Sequence, residues 1–186
     1  RGDVPAQRSY AKFLLYISLF PQLIAGPIVR YADVAGQIDA RSFDAADAFY
    51  GATRFCIGLA KKVLLADAAG KVAAQILDGS AASATTAAAW LGIVLYTFEI
   101  YFDFSGYSDM AIGMGRIFGF KYPENFRLPY TSRSITEFWR RWHISLGSFF
   151  RDYVYIPLGG KKKHQLLNMA VVCALTGLWH GASWNF

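Results

Sequence analysis

The sequence predicts an all-α, polytopic integral membrane protein, and three observations carry that prediction. Of 186 residues, 54% are hydrophobic and 17% aromatic, with 17% charged, a composition more apolar and less charged than that of an ordinary soluble domain. Uncharged runs cover residues 80–98 and 165–186, each long enough to cross a hydrocarbon core as a helix. The basic residues sit between such runs, as Lys61-Lys62, Arg140-Arg141 and Lys161-Lys162-Lys163, where membrane flanks carry them.

The elements follow in chain order. A third uncharged run, 13–29, is just long enough to span, and Pro21 predicts a kink in a membrane helix over 10–29. Residues 45–67 read as a mixed helix carrying Arg54 and two lysines. "GSAASATTAAA" reads as a loop leading into a long apolar helix over 84–103, which turns polar at its C-terminal end and gives way at Gly106. Ser134 followed by Glu137 fits a capping box. After it, Phe138, Trp142, Leu146, Phe149 and Tyr153 recur at spacings of three and four, with Trp139 and Phe150 widening the apolar arc. That spacing predicts one amphipathic helix lying along an interface, rings down and arginines toward head groups or water. In all, six helical stretches with irregular joints are expected. A buried helix of a large soluble protein is the alternative for any single run, and three runs in so short a chain argue against it. The chain opens without an initiator Met and stops inside an apolar run, so residues 1–186 read as part of one membrane domain of a longer protein.

Charge and motif spacing narrow the chemistry. The net charge of +6 and pI near 9.4 fit loops that meet anionic lipid head groups, and the placement of the basic residues argues against a nucleic-acid partner. Cys56 and Cys173 lie in different apolar segments without paired spacing and read as small packing residues. Three scattered histidines give no metal spacing, so no metal is expected. Gly159-Gly160 lacks the glycine fingerprint of a nucleotide loop, and no serine sits in a nucleophile elbow.

Two places hold candidate functional groups. In "LTGLWHGASWNF" a single imidazole, His180, stands among large aromatics, and a histidine where water is scarce needs a hydrogen-bond partner or a task. Trp179 and Trp184 beside it either exclude water or pack between helices, and Asn185 is the better polar candidate. In "EIYFDFSGYSDM", Glu99, Asp103 and Asp109 stand beside Tyr101, Ser105, Tyr107 and Ser108. Acidic groups at membrane depth face protein, water or a cation, so this cluster reads as cavity lining or salt bridge, with a solvated interfacial loop as the other reading. His143 falls at the border of the apolar arc, half shielded, where a functional and a merely structural role stand level. His164, after three lysines, reads as surface.

"FPQLIAGPIVRY", "YFDFSGYSDMAIGMGRIFGFKYPENFRLPY", "SITEFWRRWHISLGSFFRDYVYIPLGG" and "LTGLWHGASWNF" together resemble the membrane-bound O-acyltransferase (MBOAT) family, and within it the bacterial alginate O-acetylation branch. The resemblance covers about residues 20–186. It implies a fold around a tunnel in which an acyl donor on the cytoplasmic side meets an acceptor from the other face of a bacterial inner membrane. It implies that His180 is the catalytic residue and His143 a second functional position; Asp103, Tyr101 and Asn185 rank after them, on their own residue chemistry, as tunnel-lining, substrate-binding positions. No cofactor is expected to be bound; an acyl thioester, acetyl coenzyme A or an acyl carrier, is the co-substrate. The acceptor implied is a hydroxyl of an exported polysaccharide such as alginate, or a periplasmic acyltransferase partner that completes the transfer. A neutral His180, held neutral by burial, would take the hydroxyl proton as general base. D-alanyl transfer to teichoic acid and peptidoglycan O-acyl transfer belong to similar proteins, and a non-catalytic acyl conduit is the alternative of a different class.

Overall fold

In the computed structural model the described residues, 4–23, 26–79 and 85–181, form helices and no strand. The chain divides into two units, residues 1–125 and residues 126–186.

The first unit is built on one antiparallel helix pair. Helices α1 (Tyr10–Ser18) and α2 (Tyr31–Asp39) precede α3 (Ala45–Ala60), which runs through a π-helical stretch, Lys61–Ala66, into α4 (Asp67–Leu77). Asp44 caps α3 by accepting from the Ala46 N–H. The return helix α5 (Thr86–Ile117) is capped by the Thr85 hydroxyl. Small residues let the backbones approach: a Cβ on Gly51 would meet the Gly113 carbonyl oxygen at 2.6 Å, and one on Gly58 would meet that of Gly106 at 2.5 Å. These glycine pairs are seven residues apart on each helix, two turns, so they recur on one face.

Between and beyond the glycine pairs the same face carries ion pairs in antiparallel register. Arg116 pairs with Asp47 at 2.7 Å, Arg54 with Asp109 at 2.8 Å, Lys61 with Asp109 at 2.6 Å and Lys62 with Asp103 at 2.5 Å. The π-helical stretch inserts a residue into the turn and presents both Lys61 and Lys62 to α5. The chain after α5 turns at Gly119, φ +79°, and folds back so that Glu124 reaches Arg54 at 2.5 Å. Phe120 and Tyr122 then pack with Leu19, Val29, Val34 and Ile112 in a small apolar core.

Helix α5 has 32 residues, about 48 Å at the α-helical rise, against roughly 30 Å of hydrocarbon. It is the one helix among the described residues long and apolar enough to cross a membrane, and only 6% of its apolar window is buried. A core helix of a soluble protein would bury that surface.

The second unit begins with an aromatic cluster. Trp142 packs edge-on to Phe126 at 5.1 Å and stacks on Phe138 at 5.6 Å, with Tyr130 alongside. Helix α6 (Ile135–Arg141) is followed directly by α7 (Ile144–Phe150), then a π-helical turn, Arg151–Tyr155, and α8 (Gln165–His180). Ser134 caps α6 through the Glu137 N–H, while the Glu137 carboxylate accepts from the Arg133 N–H. Asn168, buried, donates to the carbonyls of Gly160 and Lys163 and ties the Gly159–His164 turn to α8.

Several expectations are corrected. The helix over 10–29 ends at Ser18, followed by a 3₁₀ turn, Phe20–Gln22; Pro21 and Pro27 remove backbone donors, and residues 27–30 have no regular secondary structure. The helix over 84–103 does not give way at Gly106 but continues to Ile117, because that glycine is packed against the Gly58 backbone. The helix over 45–67 continues to Leu77. The single amphipathic helix from Ser134 is broken at His143, so its arc does not continue: Leu146 and Phe150 are buried while Trp139 and Tyr153 are exposed. Cys56 and Cys173 are exposed, not packed. The described part of the 165–186 run is helical only to His180.

Gly58→Ala or Gly113→Ala should force α3 and α5 apart and lower stability by about 1–3 kcal/mol, the range for overpacking. Gly36→Ala, whose Cβ meets nothing within 4 Å, should be neutral or stabilising. Thermal unfolding of the detergent-solubilised full-length protein checks the difference.

Candidate active site

Both histidines singled out by the sequence fall in the second unit, at opposite kinds of helix terminus. His143 is the N-cap residue of α7 and adopts a left-handed conformation, φ +44° and ψ +54°. Among described non-glycine residues only Leu128, His143 and His164 have positive φ. A left-handed bulky residue is strained by about 1–2 kcal/mol, so the surrounding packing has to impose it. The imposed geometry carries the His143 ring inward. It is 5% exposed, with Nδ1 at 3.5 Å from the Ser145 hydroxyl.

His180 is the last residue of α8, before Gly181. Its Nδ1 lies 2.8 Å from the Thr176 carbonyl oxygen one turn back. A carbonyl only accepts, so Nδ1 carries the proton, and in the neutral ring Nε2 holds the basic lone pair. Trp179 contacts both rings: its centroid is 6.1 Å from that of His143 at an interplanar angle of 66°, and 4.9 Å from that of His180 at 89°.

The electrostatics separate the two imidazoles. Burial, and secondarily the nearby His180, pushes the His143 pKa down to about 4, because an imidazolium loses hydration there and gains no opposite charge from the neighbouring imidazole. His143 is therefore neutral at physiological pH. His180 is exposed among the described residues, which corrects the expectation that burial holds its ring neutral; what the described residues supply is a fixed tautomer. The half-shielded position expected of His143 is likewise corrected to full burial.

The remaining candidates lie elsewhere in the chain. Asp103 and Tyr101 are on α5 in the first unit. Asp103 is held by Lys62, which also pairs with Asp67, and the Tyr101 ring tilts against Phe102 at 5.2 Å. Asp109, left open between a wet loop and a salt bridge, is a salt bridge inside a continuous helix. Asn185 and Trp184 lie outside the described residues. His164 is exposed and opens α8. No group of three His, Cys, Asp or Glu residues among the described residues is placed to hold a metal ion.

Sequence reasoning missed the Arg54 network. Arg54 donates through Nε and a terminal nitrogen to Asp109, through both terminal nitrogens to Glu124, and to the Tyr50 hydroxyl. A cleft of about 320 Å³ opens beside it, lined by Tyr50, Thr53, Arg54, Ile57 and Asp109. Its one signal in the sequence was a lone arginine in an otherwise apolar stretch of helix facing an acidic cluster.

Comparison with known proteins bears on this arrangement. The family model described as the membrane-bound O-acyltransferase family, MBOAT, matches residues 5–186. The chain is 48% identical over 189 residues to the probable alginate O-acetylase AlgI of Azotobacter vinelandii, covering 100% of this chain and 38% of that protein. It is 50% identical over 186 residues to the protein of the same name from Pseudomonas fluorescens, covering 98% and 37%. It is 43% identical over 183 residues to the peptidoglycan O-acetyltransferase of Helicobacter pylori, covering 95% and 34%. The chain thus spans less than two fifths of the length of these curated relatives.

The low pKa of His143 makes a pH prediction. Unfolded, His143 takes up a proton near pH 6.5; folded, it does so only near pH 4. Between those values the unfolded state binds more protons, so stability falls as pH is lowered through that window, by at most about 3 kcal/mol. His143→Asn keeps a residue that tolerates the left-handed conformation and removes the titration. Melting curves of the full-length protein from pH 7 to 4 should fall less steeply for that variant than for wild type.

Proposed function

The chain belongs to the membrane-bound O-acyltransferase family, and from that premise we propose that the protein of which it forms part moves an acetyl or similarly short acyl group from a cytoplasmic thioester to hydroxyls of an exported polysaccharide such as alginate. Residues 1–186 form part of its one membrane domain, which is multi-pass and sits in a bacterial inner membrane. The donor is acetyl coenzyme A or an acyl carrier, and the acceptor is the polymer itself or a periplasmic acyltransferase that completes the transfer.

The observation that carries this reading is the hydrogen bond from His180 Nδ1 to the Thr176 carbonyl. With that nitrogen committed, Nε2 is the atom that accepts a proton. It takes the acceptor hydroxyl's proton as the hydroxyl oxygen forms its bond to the thioester carbonyl carbon. The tetrahedral intermediate then collapses, the C–S bond breaks, and the thiolate recovers the proton from the imidazolium. General base help of this kind contributes on the order of a hundredfold to ten-thousandfold. Positioning, and donors toward the developing oxyanion, account for the remainder. His143, neutral and strained into place, is the second functional residue. Asp103, Tyr101 and Asn185 line the path of the substrates.

Peptidoglycan O-acetylation is the second reading, favoured by the 43% identity to the Helicobacter pylori relative and placed behind alginate by the higher identity to the alginate O-acetylases. D-alanyl transfer to teichoic acid shares the acyl-transfer chemistry and differs in the acyl group and the acceptor.

In cells whose chromosomal copy of the full-length gene carries His180→Ala, acetate on the exported polymer should disappear while membrane levels of the protein stay normal. A passive acyl conduit would retain part of it. Acetate at the wild-type level would remove His180 from the chemistry. His143→Gln should impair acetylation with assembly intact.

A further inference from the structure

Trp179 lies at the C-terminal end of α8. It stands one residue before His180 and on a different helix from His143, yet its ring meets both imidazoles nearly edge to face. Such contacts are attractive because the positive edge of one ring meets the negative face of the other, about 0.5–1.5 kcal/mol each beyond area burial.

We propose that Trp179 is a positioning residue that couples the two imidazoles, its indole setting the His143 ring at the start of α7 against the His180 ring at the end of α8. This rests on the acyltransferase reading above. Coupling of this kind serves the proton transfer. When His180 takes the hydroxyl proton, its positive charge disfavours protonation of His143, so the charge stays on one ring, close to the leaving thiolate that must recover it. The indole keeps the two rings at a separation where this bias acts. Adjacent residues on a helix diverge by 100°, so Trp179 reaches away from His180's own direction toward α7, which an aliphatic side chain in its place would do without a planar face to orient either ring.

The test uses full-length variants in cells, reading the initial rate at which alkali-labile acetate appears on newly exported polymer, normalised to protein in the membrane. Trp179→Leu should lower the rate about tenfold, in keeping with the sensitivity of such reactions to small misplacements. Trp179→Phe, which keeps an aromatic face, should recover it to within about threefold. A double-mutant cycle with His143→Gln gives the readout a structural role would not move: in the Trp179→Leu background, His143→Gln should add less loss than it causes alone. Losses that multiply independently, or a Trp179→Leu rate equal to wild type, would overturn the coupling. Should Trp179→Leu fail to accumulate, Trp179→Met, with flexible bulk and no ring, carries the same cycle with the same two outcomes. His180→Ala in parallel separates the premises: full activity there removes His180 from the chemistry on which the coupling rests, whereas an inactive His180→Ala beside a fully active Trp179→Leu sinks only the coupling.

Discussion

A chain this poor in charge has to satisfy its polar groups from within, and that constraint shapes both units. The hydroxyls of Ser18, Thr53, Thr97 and Thr176 each donate to the carbonyl four residues back. Arg54 spends its donors on two carboxylates and a tyrosine, and Asn168 spends its amide on two turn carbonyls. Where water is scarce an unmade hydrogen bond costs more than a made one contributes, so each of these contacts fixes geometry as much as it adds stability. The bond from His180 Nδ1 to the Thr176 carbonyl is one more case of the same rule. Here the self-satisfaction of a helix end also sets which nitrogen of an imidazole is basic.

In the first unit the same constraint explains why α3 and α5 are joined by glycines and ion pairs together. Close backbone approach at Gly51–Gly113 and Gly58–Gly106 brings the two helices near enough for their charges to pair across the interface. The pairs then specify register: slipping the helices by one turn would separate Arg54 from Asp109 and Lys62 from Asp103. Arg54 and Asp109 are the shielded pair, 15% and 14% exposed, where removing one partner is destabilising; Lys62 and Asp103, 42% and 48% exposed, add little stability. The network therefore acts chiefly as a register lock beside an open cleft.

Much of this was legible in the sequence, and what escaped has physical causes. The Ser134 cap was readable because capping is decided within four residues. The apolar character of α5 was readable from composition, but its continuation through Gly106 was not, since that glycine serves a contact with a residue 48 positions away in the chain. The break at His143 carries no glycine or proline to announce it; periodicity alone ran the helix straight through. Pro21 was read as a kink within a helix, whereas with Pro27 it ends one. At the site, His180 and His143 were legible as the odd titratable groups in apolar surroundings, and family resemblance gave them roles. Their environments were inverted: the histidine expected at a border is buried, and the one expected to be buried is exposed among the described residues.

The account's central claim is that the His180 Nδ1–H is committed to the Thr176 carbonyl, which leaves the basic lone pair of the ring on Nε2. The most direct measurement is the nitrogen NMR spectrum of histidine-labelled full-length protein in bilayers at neutral pH, with the His180 signals assigned by their absence in His180→Ala. The account predicts a protonated Nδ1 and an unprotonated Nε2 for His180. A proton on Nε2 with Nδ1 bare would contradict it, because the nitrogen assigned to take the hydroxyl proton would already carry one.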